Sequence, residues 1–271
     1  MQKRKLILMG TNDFVVPVFD ALATKHDILA VYTRAPKPQG RKQILTKSPV
    51  HVWAESKGLP VYTSIKEFTN PGAEYIVVIS YGVILGENVL SSAKCINIHP
   101  SSLPRYRGPS PIRSAILNGD DNMDVCLMEM TQEMDAGDIL IRKNIKIDIN
   151  DTNADVEHKV SVVAVDMLNE YFDAPDRYIP IAQMGTPTFT HKFSNSDSII
   201  DWELKPVQIH NLVRALGGGR TTINSIGVKI LETRISDNKL EILRIQPDGK
   251  KPMDWESFVN GLRGADIIMG K

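Results

Sequence analysis

The sequence predicts an α/β protein in which a mostly parallel sheet is followed by a smaller β-rich domain. In the first half of the chain, short apolar runs alternate with helical patterns, an order typical of parallel α/β sheets. The run Tyr75–Ile79 is apolar throughout, as in a parallel strand that is covered on both faces. Beyond Pro180 turn-forming residues become frequent, and stretches of alternating polarity follow at 226–235 and 240–245.

Glycine, proline and helix-capping residues delimit the individual elements. Gly10 ends the first strand, and Asp13 is placed as the N-cap of the first helix. Ser48 is placed as the cap of the second helix, with Pro49 at its first position. The predicted order is a strand at 5–9, a helix at 14–23, a strand at 27–33, a long loop at 34–47, a helix at 48–57, strands at 75–79 and 95–98, a helix at 112–117, a strand at 125–130, a hairpin-like pair near 139–147, and helices at 152–171 and 207–216.

The length and the change in composition indicate two unequal domains. A domain typically has about 100 to 200 residues, and the chain has 271. The change in character places a boundary near 190–205. We therefore predict a first domain at 1–190, a linker at 191–204 and a second domain at 205–271.

The composition excludes several classes of protein. With 42% hydrophobic and 24% charged residues, the chain has ordinary globular values. No apolar run approaches the roughly 20 residues of a membrane span, and the apolar run after Lys5 is too short for a signal-peptide core. The expected location is therefore the cytoplasm, with no membrane partner. Cys95 and Cys126 show no metal-binding spacing, so we expect both to be reduced and buried.

The charges are balanced overall but unevenly distributed. There are 32 Lys and Arg against 32 Asp and Glu, so no global basic field indicates a nucleic-acid partner. The stretch from Arg34 to Lys47 nevertheless contains only cations among its charged residues: Arg34, Lys37, Arg41, Lys42 and Lys47. This stretch either meets a polyanion or is a solvated loop that keeps the chain soluble.

Common nucleotide and metal motifs are missing from the sequence. Gly10 follows the first strand where dinucleotide-binding folds turn, but the second and third glycines of GxGxxG are not present, which disfavours NAD. The sequence contains neither GxxxxGK[ST] nor HExxH. The sequence therefore lacks the motifs that would best support phosphoryl transfer through a P-loop or zinc-dependent hydrolysis.

Asn97 and His99 lie at the carboxyl end of a predicted parallel strand, where ligands collect in open α/β sheets. Two positions apart, they point to the same face, so an amide donor and an imidazole can converge on one small group. Downstream, Asp135 and Asp138 flank Gly137 in a turn, and a carboxylate beside an imidazole orients it and favours its charged form. Alternatively, His99 and Asn97 only stabilise a turn, and Asp135 belongs to a simple Asp-Gly turn. The spacing alone does not place Asp135 beside His99.

Several segments resemble the folate-dependent formyltransferases: MGTNDFVVPVFDAL at 9–22, GRKQILTKSPVHVWAESKGLPVY at 40–62, NIHPSSLPRYRGPSPI at 97–112 and MDAGDIL at 134–140. IDWELKPVQIHNLVRAL at 200–216 and LRIQPDGKKPMDWESFVNGLRG at 243–264 resemble the second domain of the members that act on methionyl-tRNA. The resemblance implies a Rossmann-like catalytic domain and a C-terminal, tRNA-binding β-barrel of the OB-like kind, here shortened.

The resemblance also implies a reaction and a set of residues. The donor is 10-formyltetrahydrofolate, the acceptor is the α-amine of initiator methionyl-tRNA, and no metal is needed. The implied catalytic residues are Asn97 and His99, which stabilise the oxyanion, and Asp135, which holds His99. The implied folate contacts are Ser101, Ser102, Leu103, Pro104, Val83, Ile84, Leu85 and Asp138. The implied tRNA contacts are Arg34, Lys37, Arg41, Lys42 and Lys47. A monomer is expected.

Three alternatives stay open at the level of sequence. A formyltransferase acting on a nucleotide-linked amino sugar would share the first domain and the same three residues. A hydrolase would release formate from the same donor, with water in place of the amine. A binding module would retain affinity for folate or tRNA without turnover, although it would not need Asn97, His99 and Asp135 together.

Overall fold

A computed structural model gives the fold of the chain and describes residues 2–40 and 42–270. The chain divides into two compact units. Unit 1 runs up to Pro109 and includes Asp124–Ile145 and Glu157–Phe189. Unit 2 consists of Ser110–Met123 and Lys146–Val156 together with the chain from Thr190 onward. The functional division into 1–190, 191–204 and 205–271 stays a prediction.

The sheet of unit 1 confirms the α/β prediction. The first nine strands of the chain are β1 (Lys5–Gly10), β2 (Asp27–Tyr32), β3 (Lys37–Gln39), β4 (Ile44–Thr46), β5 (Val61–Tyr62), β6 (Tyr75–Ile79), β7 (Lys94–His99), β8 (Asn122–Glu129) and β9 (Ile139–Lys146). Seven of them form one sheet, in the order β5-β2-β1-β6-β7-β8-β9. The pairs from β5 to β7 are parallel, and β7 pairs with β8 antiparallel. The sheet is therefore mostly parallel, with β7 in its interior.

The central strands form because their side chains are apolar on both faces. In β1, the residues from Leu6 to Met9 are all fully buried, and β6 is buried from Ile76 onward. Tyr32, Phe68, Val78 and Cys95 belong to one core cluster of this unit. Burial of a large aliphatic side chain contributes about 1.5 to 3 kcal/mol. These buried strands consequently fix the positions of the residues at their carboxyl ends.

Five helices accompany these strands: α1 (Val16–Lys25), α2 (Pro49–Ser56), α3 (Glu87–Leu90), α4 (Pro111–Asn118) and α5 (Asn153–Asp173). Ser48 caps α2 as predicted, because its hydroxyl accepts the His51 N–H. Asp13 does not cap α1 but begins a short 3-10 helix, Asp13–Val15, that precedes it. Within the described residues, no helix is both long and apolar enough to cross a membrane.

The stretch predicted as a long loop at 34–47 contains a short hairpin. β3 pairs with β4 antiparallel, with Lys37 opposite Thr46. Each strand has only three residues, and all of them are exposed, so no apolar periodicity marks them in the sequence. The hairpin-like pair expected near 139–147 is instead the single strand β9, which lies beside β8.

Unit 2 contains a second, antiparallel sheet. Its elements are α6 (Pro206–Leu216), β10 (Gly219–Ile223), β11 (Ile226–Ser236), β12 (Lys239–Pro247), β13 (Met253–Asp254), α7 (Trp255–Gly261) and β14 (Met269–Gly270). The strand order is β13-β12-β11-β10-β14. Ile209 and Val213 of α6 form a core with Ile200 and Ile230. The predicted OB-like barrel is not confirmed, because the edge strands β13 and β14 have two residues each and the described strands form an open order.

Both cysteines are free and buried, as the sequence predicts. Burial raises the pKa of the Cys95 thiol to about 12 and that of the Cys126 thiol to about 11. Neither thiol is therefore a nucleophile at neutral pH, since the thiolate is the reactive form.

Candidate active site

Asn97 and His99 lie at the carboxyl end of β7, on the same face of the strand. Asn97 pairs with Val78 on β6 and with Met128 on β8, and His99 pairs with Cys126. A strand bonded on both sides is a rigid support, and side chains on such elements are held accurately. Asn97 is 7% exposed and His99 is 5% exposed. Within the described residues, the Asn97 side-chain amide makes no hydrogen bond, so its donors are available to a substrate.

His99 is held between two acceptors. Its Nε2 atom donates to the Tyr106 carbonyl oxygen at 3.0 Å. Its Nδ1 atom lies 3.6 Å from Asp135 Oδ1. The structure therefore brings Asp135 to His99, the proximity that sequence spacing left undecided. An imidazole with an acceptor at each nitrogen is fixed in its ring orientation.

The loop after β7 turns tightly and returns to His99. Ser101 N–H donates to the His99 carbonyl at 2.9 Å, and Arg105 N–H donates to the Ser102 carbonyl at 3.0 Å. Tyr106, whose carbonyl bonds His99, has a φ of 60°, in the left-handed region that favours glycine. The surrounding contacts must hold this conformation, because a bulky residue does not adopt it without cost.

Asp135 lies in the turn that follows β8, which Gly137 permits. A Cβ on Gly137 would collide with the Glu129 carbonyl oxygen at the end of β8. This close approach of the turn to β8 includes a hydrogen bond, which Glu129 N–H donates to the Asp138 carbonyl at 2.9 Å. Asp135 has a φ of 51°, and its Oδ2 accepts the Gly108 N–H at 2.7 Å. One carboxylate oxygen thus holds the loop, while the other faces His99.

The sequence-predicted folate residues fall into two groups. Ser101, Leu103 and Leu85 have 0%, 2% and 4% exposure, and both leucines belong to core clusters. Pro104 is also buried. Ile84 is 79% exposed, Val83 is 40% exposed, and Ser102 and Asp138 are half-buried. The buried side chains have a packing role here, and folate contact by all of these residues stays a prediction.

Four of the sequence-predicted tRNA residues lie on or next to the β3–β4 hairpin: Arg34, Lys37, Lys42 and Lys47. Lys37 and Lys42 are exposed, and Lys47 Nζ pairs with Glu55 at 2.7 Å. The Arg34 guanidinium lies against Gly82, where an added Cβ would meet its Nη2 atom. Arg41 lies outside the described residues. Contact of these residues with tRNA stays a prediction.

Unit 2 contains a basic cavity that sequence reasoning did not find. Its volume is about 430 Å³, and its cations are Arg113, Arg220 and Lys229. Arg220 and Lys229 lie directly opposite each other on β10 and β11. The lining residues of the described chain include no carboxylate, although Asp197 nearby accepts the Ser194 N–H and hydroxyl, both at 2.7 Å. Such a cavity suits an anion, because like charges placed opposite each other on a sheet are unfavourable without one.

Sequence reasoning also missed the backbone partners of the site. The Tyr106 carbonyl and the Gly108 N–H are main-chain groups, which every residue type provides, so no sequence signal identifies them. Gln183 donates to the Asp135 carbonyl at 2.8 Å from 48 positions away. In the part of the chain that the structure describes, no group of three or more His, Cys, Asp or Glu residues is placed to hold a metal.

The family model of formyl transferases matches residues 3–171, a range that contains β7, His99 and Asp135. The chain belongs to the formyl transferase family. A methionyl-tRNA formyltransferase of Rickettsia massiliae is 33% identical over 299 aligned residues, which cover 97% of this chain and 98% of the relative. One of Cereibacter sphaeroides is 33% identical over 289 aligned residues, which cover 95% of this chain and 96% of the relative.

Solved structures share the fold. The methionyl-tRNA formyltransferase from Clostridium thermocellum has a TM-score of 0.63 at 15% identity, covering 91% of this chain and 99% of that one. The sugar 3N-formyl transferase WlaRD, solved in the presence of dTDP and 5-N-formyl-THF, has a TM-score of 0.66 at 18% identity, covering 88% of both chains. At such low identity, these similarities show the fold and not the acceptor.

Proposed function

We propose that this protein transfers the formyl group of 10-formyltetrahydrofolate to the free α-amino group of initiator methionyl-tRNA, giving N-formylmethionyl-tRNA for translation initiation. The observation that carries the proposal is the 33% identity to a methionyl-tRNA formyltransferase over 97% of the chain, which includes both units. The reaction is a one-carbon transfer in which the formyl donor is a substrate.

The chemistry centres on Asn97 and His99. The α-amine attacks the formyl carbon, a C–N bond forms, the carbon becomes tetrahedral, and the formyl oxygen becomes an oxyanion. Asn97 donates an N–H to that oxygen, and His99 places positive charge beside it. A preorganised donor in a water-poor site contributes about 10² to 10³ in rate. The breaking of the bond between the formyl carbon and N10 completes the transfer, and N10 takes up the proton that the attacking amine has released.

Asp135 holds His99 and accepts a proton. Its Oδ1 atom, 3.6 Å from His99 Nδ1, stabilises the imidazolium, while the Tyr106 carbonyl orients the opposite nitrogen. The proton that leaves the attacking amine passes through a water molecule to this carboxylate. The Asp135 side chain is 15% exposed, which leaves part of it accessible to such a water.

Two charged surfaces, each described within its own unit, support tRNA as the acceptor. The β3–β4 hairpin of unit 1 carries the exposed cations Lys37 and Lys42. The cavity of unit 2 carries Arg113, Arg220 and Lys229. Backbone phosphates are contacted mainly by Arg and Lys, and these contacts fix the register of a nucleic acid without reading its sequence.

A nucleotide-linked amino sugar is the second candidate acceptor. The sugar 3N-formyl transferase WlaRD shares the fold with a TM-score of 0.66, similar to the 0.63 for a methionyl-tRNA formyltransferase, so the fold favours neither acceptor. The identity over the full length favours methionyl-tRNA. The cytoplasmic location and the monomeric state stay predictions from the sequence.

Single-turnover transfer of labelled formyl tests the proposal. Charged initiator methionyl-tRNA, charged elongator methionyl-tRNA, a nucleotide-linked amino sugar and a no-acceptor control are offered separately with the donor. We expect transfer to the initiator tRNA alone. Transfer to the sugar, or donor cleavage without an acceptor, contradicts the proposed acceptor.

Variants of the site test the assigned residues in the same assay. Asn97→Ala and His99→Ala are each expected to lower the rate by about 10² to 10³. His158→Ala is the matched control, because His158 is an exposed histidine on α5. Nearly full transfer by either site variant contradicts the assignment.

A further inference from the structure

The segment Ile181–Phe189, which we call the strap, connects the two loops that hold His99. At one end, Ile181 and Ile139 exchange backbone hydrogen bonds at 2.8 and 2.9 Å. At the other end, Phe189 forms a parallel bridge with Arg107. The strap therefore begins beside the Asp135 turn and ends beside the Tyr106 loop.

Every hydrogen-bonding group of the Gln183 side-chain amide has a partner within unit 1. Its Nε2 atom donates to the Asp135 carbonyl at 2.8 Å and to the Gly137 carbonyl at 2.9 Å. Its Oε1 atom accepts from Arg107 Nε at 3.2 Å and from Arg107 Nη2 at 2.9 Å. An amide has two N–H donors and two acceptor lone pairs, so all four are engaged. Gln183 thereby joins the Asp135 turn to the loop after β7.

On the opposite side of the imidazole, Thr188 bonds the backbone of the loop after β7. Its hydroxyl oxygen accepts the Tyr106 N–H at 2.9 Å, and its carbonyl accepts the Arg107 N–H at 2.9 Å. Its own N–H donates to the Pro104 carbonyl at 3.2 Å. Tyr106 is the residue whose carbonyl bonds His99 Nε2.

The two residues that flank His99 both have left-handed backbones. Tyr106 has a φ of 60° and Asp135 a φ of 51°. Conformations of this kind persist only where the surroundings over-determine them. Gln183 and Thr188 bond the backbone of these two residues directly.

The strap is not built for core packing. Ile181, Met184 and Phe189 are 67%, 85% and 63% exposed. What the strap contributes to unit 1 is therefore mostly its hydrogen bonds, and these are directed at the two loops of the site.

We propose that Gln183 and Thr188 are positioning residues for formyl transfer, setting the Asp135 carboxylate and the Tyr106 carbonyl on either side of His99. This inference rests on the proposed function, since it assigns a role to residues that act through Asp135 and His99. Their side chains do not take part in bond making. They fix the imidazole between its two acceptors.

The first experiment separates positioning from folding. Gln183→Met removes all four hydrogen bonds, and Gln183→Glu keeps an acceptor for Arg107 while removing the donation to Asp135 and Gly137. Both are expected to lower kcat by about 10- to 100-fold with KM for the tRNA nearly unchanged, because a small misplacement of a catalytic group has effects of this size. Met184→Glu adds the same charge at a side chain that is 85% exposed and is the control. A loss confined to thermal stability, with kcat unchanged, overturns the proposal.

Thr188 offers rescue by a conservative variant. Thr188→Ser keeps the hydroxyl that accepts the Tyr106 N–H and is expected to retain the wild-type kcat. Thr188→Val keeps the shape, removes the acceptor, and is expected to lower kcat. Equal rates for the two variants overturn the role of Thr188.

The ring signals of His99 supply a spectroscopic readout. In protein labelled at histidine, the signals of His99 are identified by their loss in His99→Ala. Gln183→Met is expected to shift the His99 signals and to leave those of the exposed His158 in place. Unchanged His99 signals overturn the proposal.

A double-mutant cycle closes the test. If Gln183 acts through Asp135, Gln183→Met has little further effect on single-turnover transfer in an Asp135→Ala background. The same fold-loss in both backgrounds overturns the inference while leaving the proposed function intact. If Asp135→Ala alone transfers at the wild-type rate, the proposed role of Asp135 fails instead, so the two failures are distinguishable.

Discussion

Replacing Gly137 by alanine tests how the Asp135 turn is built. Gly137 does not have a positive φ, so alanine can adopt its backbone conformation. The obstacle is contact, because the added Cβ would collide with the Glu129 carbonyl oxygen. To relieve the collision, the turn must move away from the end of β8, and the bond from Glu129 N–H to the Asp138 carbonyl must lengthen.

The size of the effect follows from these two contacts. Overpacking against a well-packed neighbour costs about 1 to 3 kcal/mol. Loss of one backbone hydrogen bond costs about 0.5 to 1.5 kcal/mol. We therefore expect Gly137→Ala to lower the free energy of unfolding by about 2 to 4 kcal/mol. Because Asp135 lies two positions away in the same turn, we also expect formyl transfer to fall by about 10- to 100-fold.

Urea unfolding followed by circular dichroism measures the stability, and single-turnover transfer measures the activity. Gly58→Ala is the control, because Gly58 has a φ of 67° with no atom within 4 Å of an added Cβ. It should cost only about 1 to 2 kcal/mol, from the left-handed backbone, with transfer unchanged. If Gly137→Ala transfers formyl at the wild-type rate, the close approach to β8 does not position Asp135, and our account of the turn is wrong.

Three further predictions concern pH and salt. Burial raises the pKa of the Cys126 thiol to about 11. The stability that the neutral thiol contributes is therefore complete below about pH 8.5 and is lost as the pH rises toward 11. In urea unfolding, Cys126→Ala should make the decline of stability at alkaline pH shallower. Burial lowers the pKa of His210, so the unfolded chain takes up a proton first as the pH falls, and stability is lost below about pH 6.5. His210→Gln should make the loss of stability between about pH 7 and 5 smaller. An unchanged slope of unfolding free energy against pH contradicts this prediction. Arg220→Ala and Lys229→Ala should each reduce the slope of log affinity for tRNA against log salt by about 1 in filter binding, whereas an unchanged slope excludes the cavity of unit 2 as a phosphate site.

The elements that sequence reasoning predicted are those whose own residues decide the structure. β6 is apolar from end to end, and α5 has a continuous apolar stripe, so local pattern identifies both. The β3–β4 hairpin was predicted as a loop because three exposed residues per strand give no periodicity. Closure of the second sheet depends on register between distant strands. Alternation in β11 and β12 therefore predicts strands but not a barrel.

The candidate site was predictable in its residue types but not in its assembly. The two-residue spacing on β7 places Asn97 and His99 on one face. Asp135 Oδ1 comes within 3.6 Å of His99 Nδ1 because of the turn after β8 and the hydrogen bond from Gly108, and neither of these belongs to β7. Gln183 carries no signal of its own, because an isolated glutamine in a turn-rich stretch is ordinary. Its contacts exist only once β9 and the strap are paired.

The fold of the sheet in unit 1 does not identify the acceptor. A sugar 3N-formyl transferase and a methionyl-tRNA formyltransferase resemble this fold almost equally, with TM-scores of 0.66 and 0.63. The fold alone therefore does not distinguish the two acceptors, and under our proposal the selection falls to charged surfaces such as the β3–β4 hairpin and the cavity of unit 2.

Those surfaces predict a measurable difference between the two acceptors. A nucleotide-linked sugar offers only its own few phosphate charges, whereas tRNA presents a continuous backbone, and each neutralised phosphate adds about 0.7 to 0.9 to the salt slope of binding. A tRNA acceptor that engages Lys37, Lys42, Arg220 and Lys229 requires a slope of about 3 or more. If KM depends on salt no more steeply than contacts with two phosphates predict, these cations do not contact the acceptor. The assignment of tRNA as the acceptor would then lack its structural support.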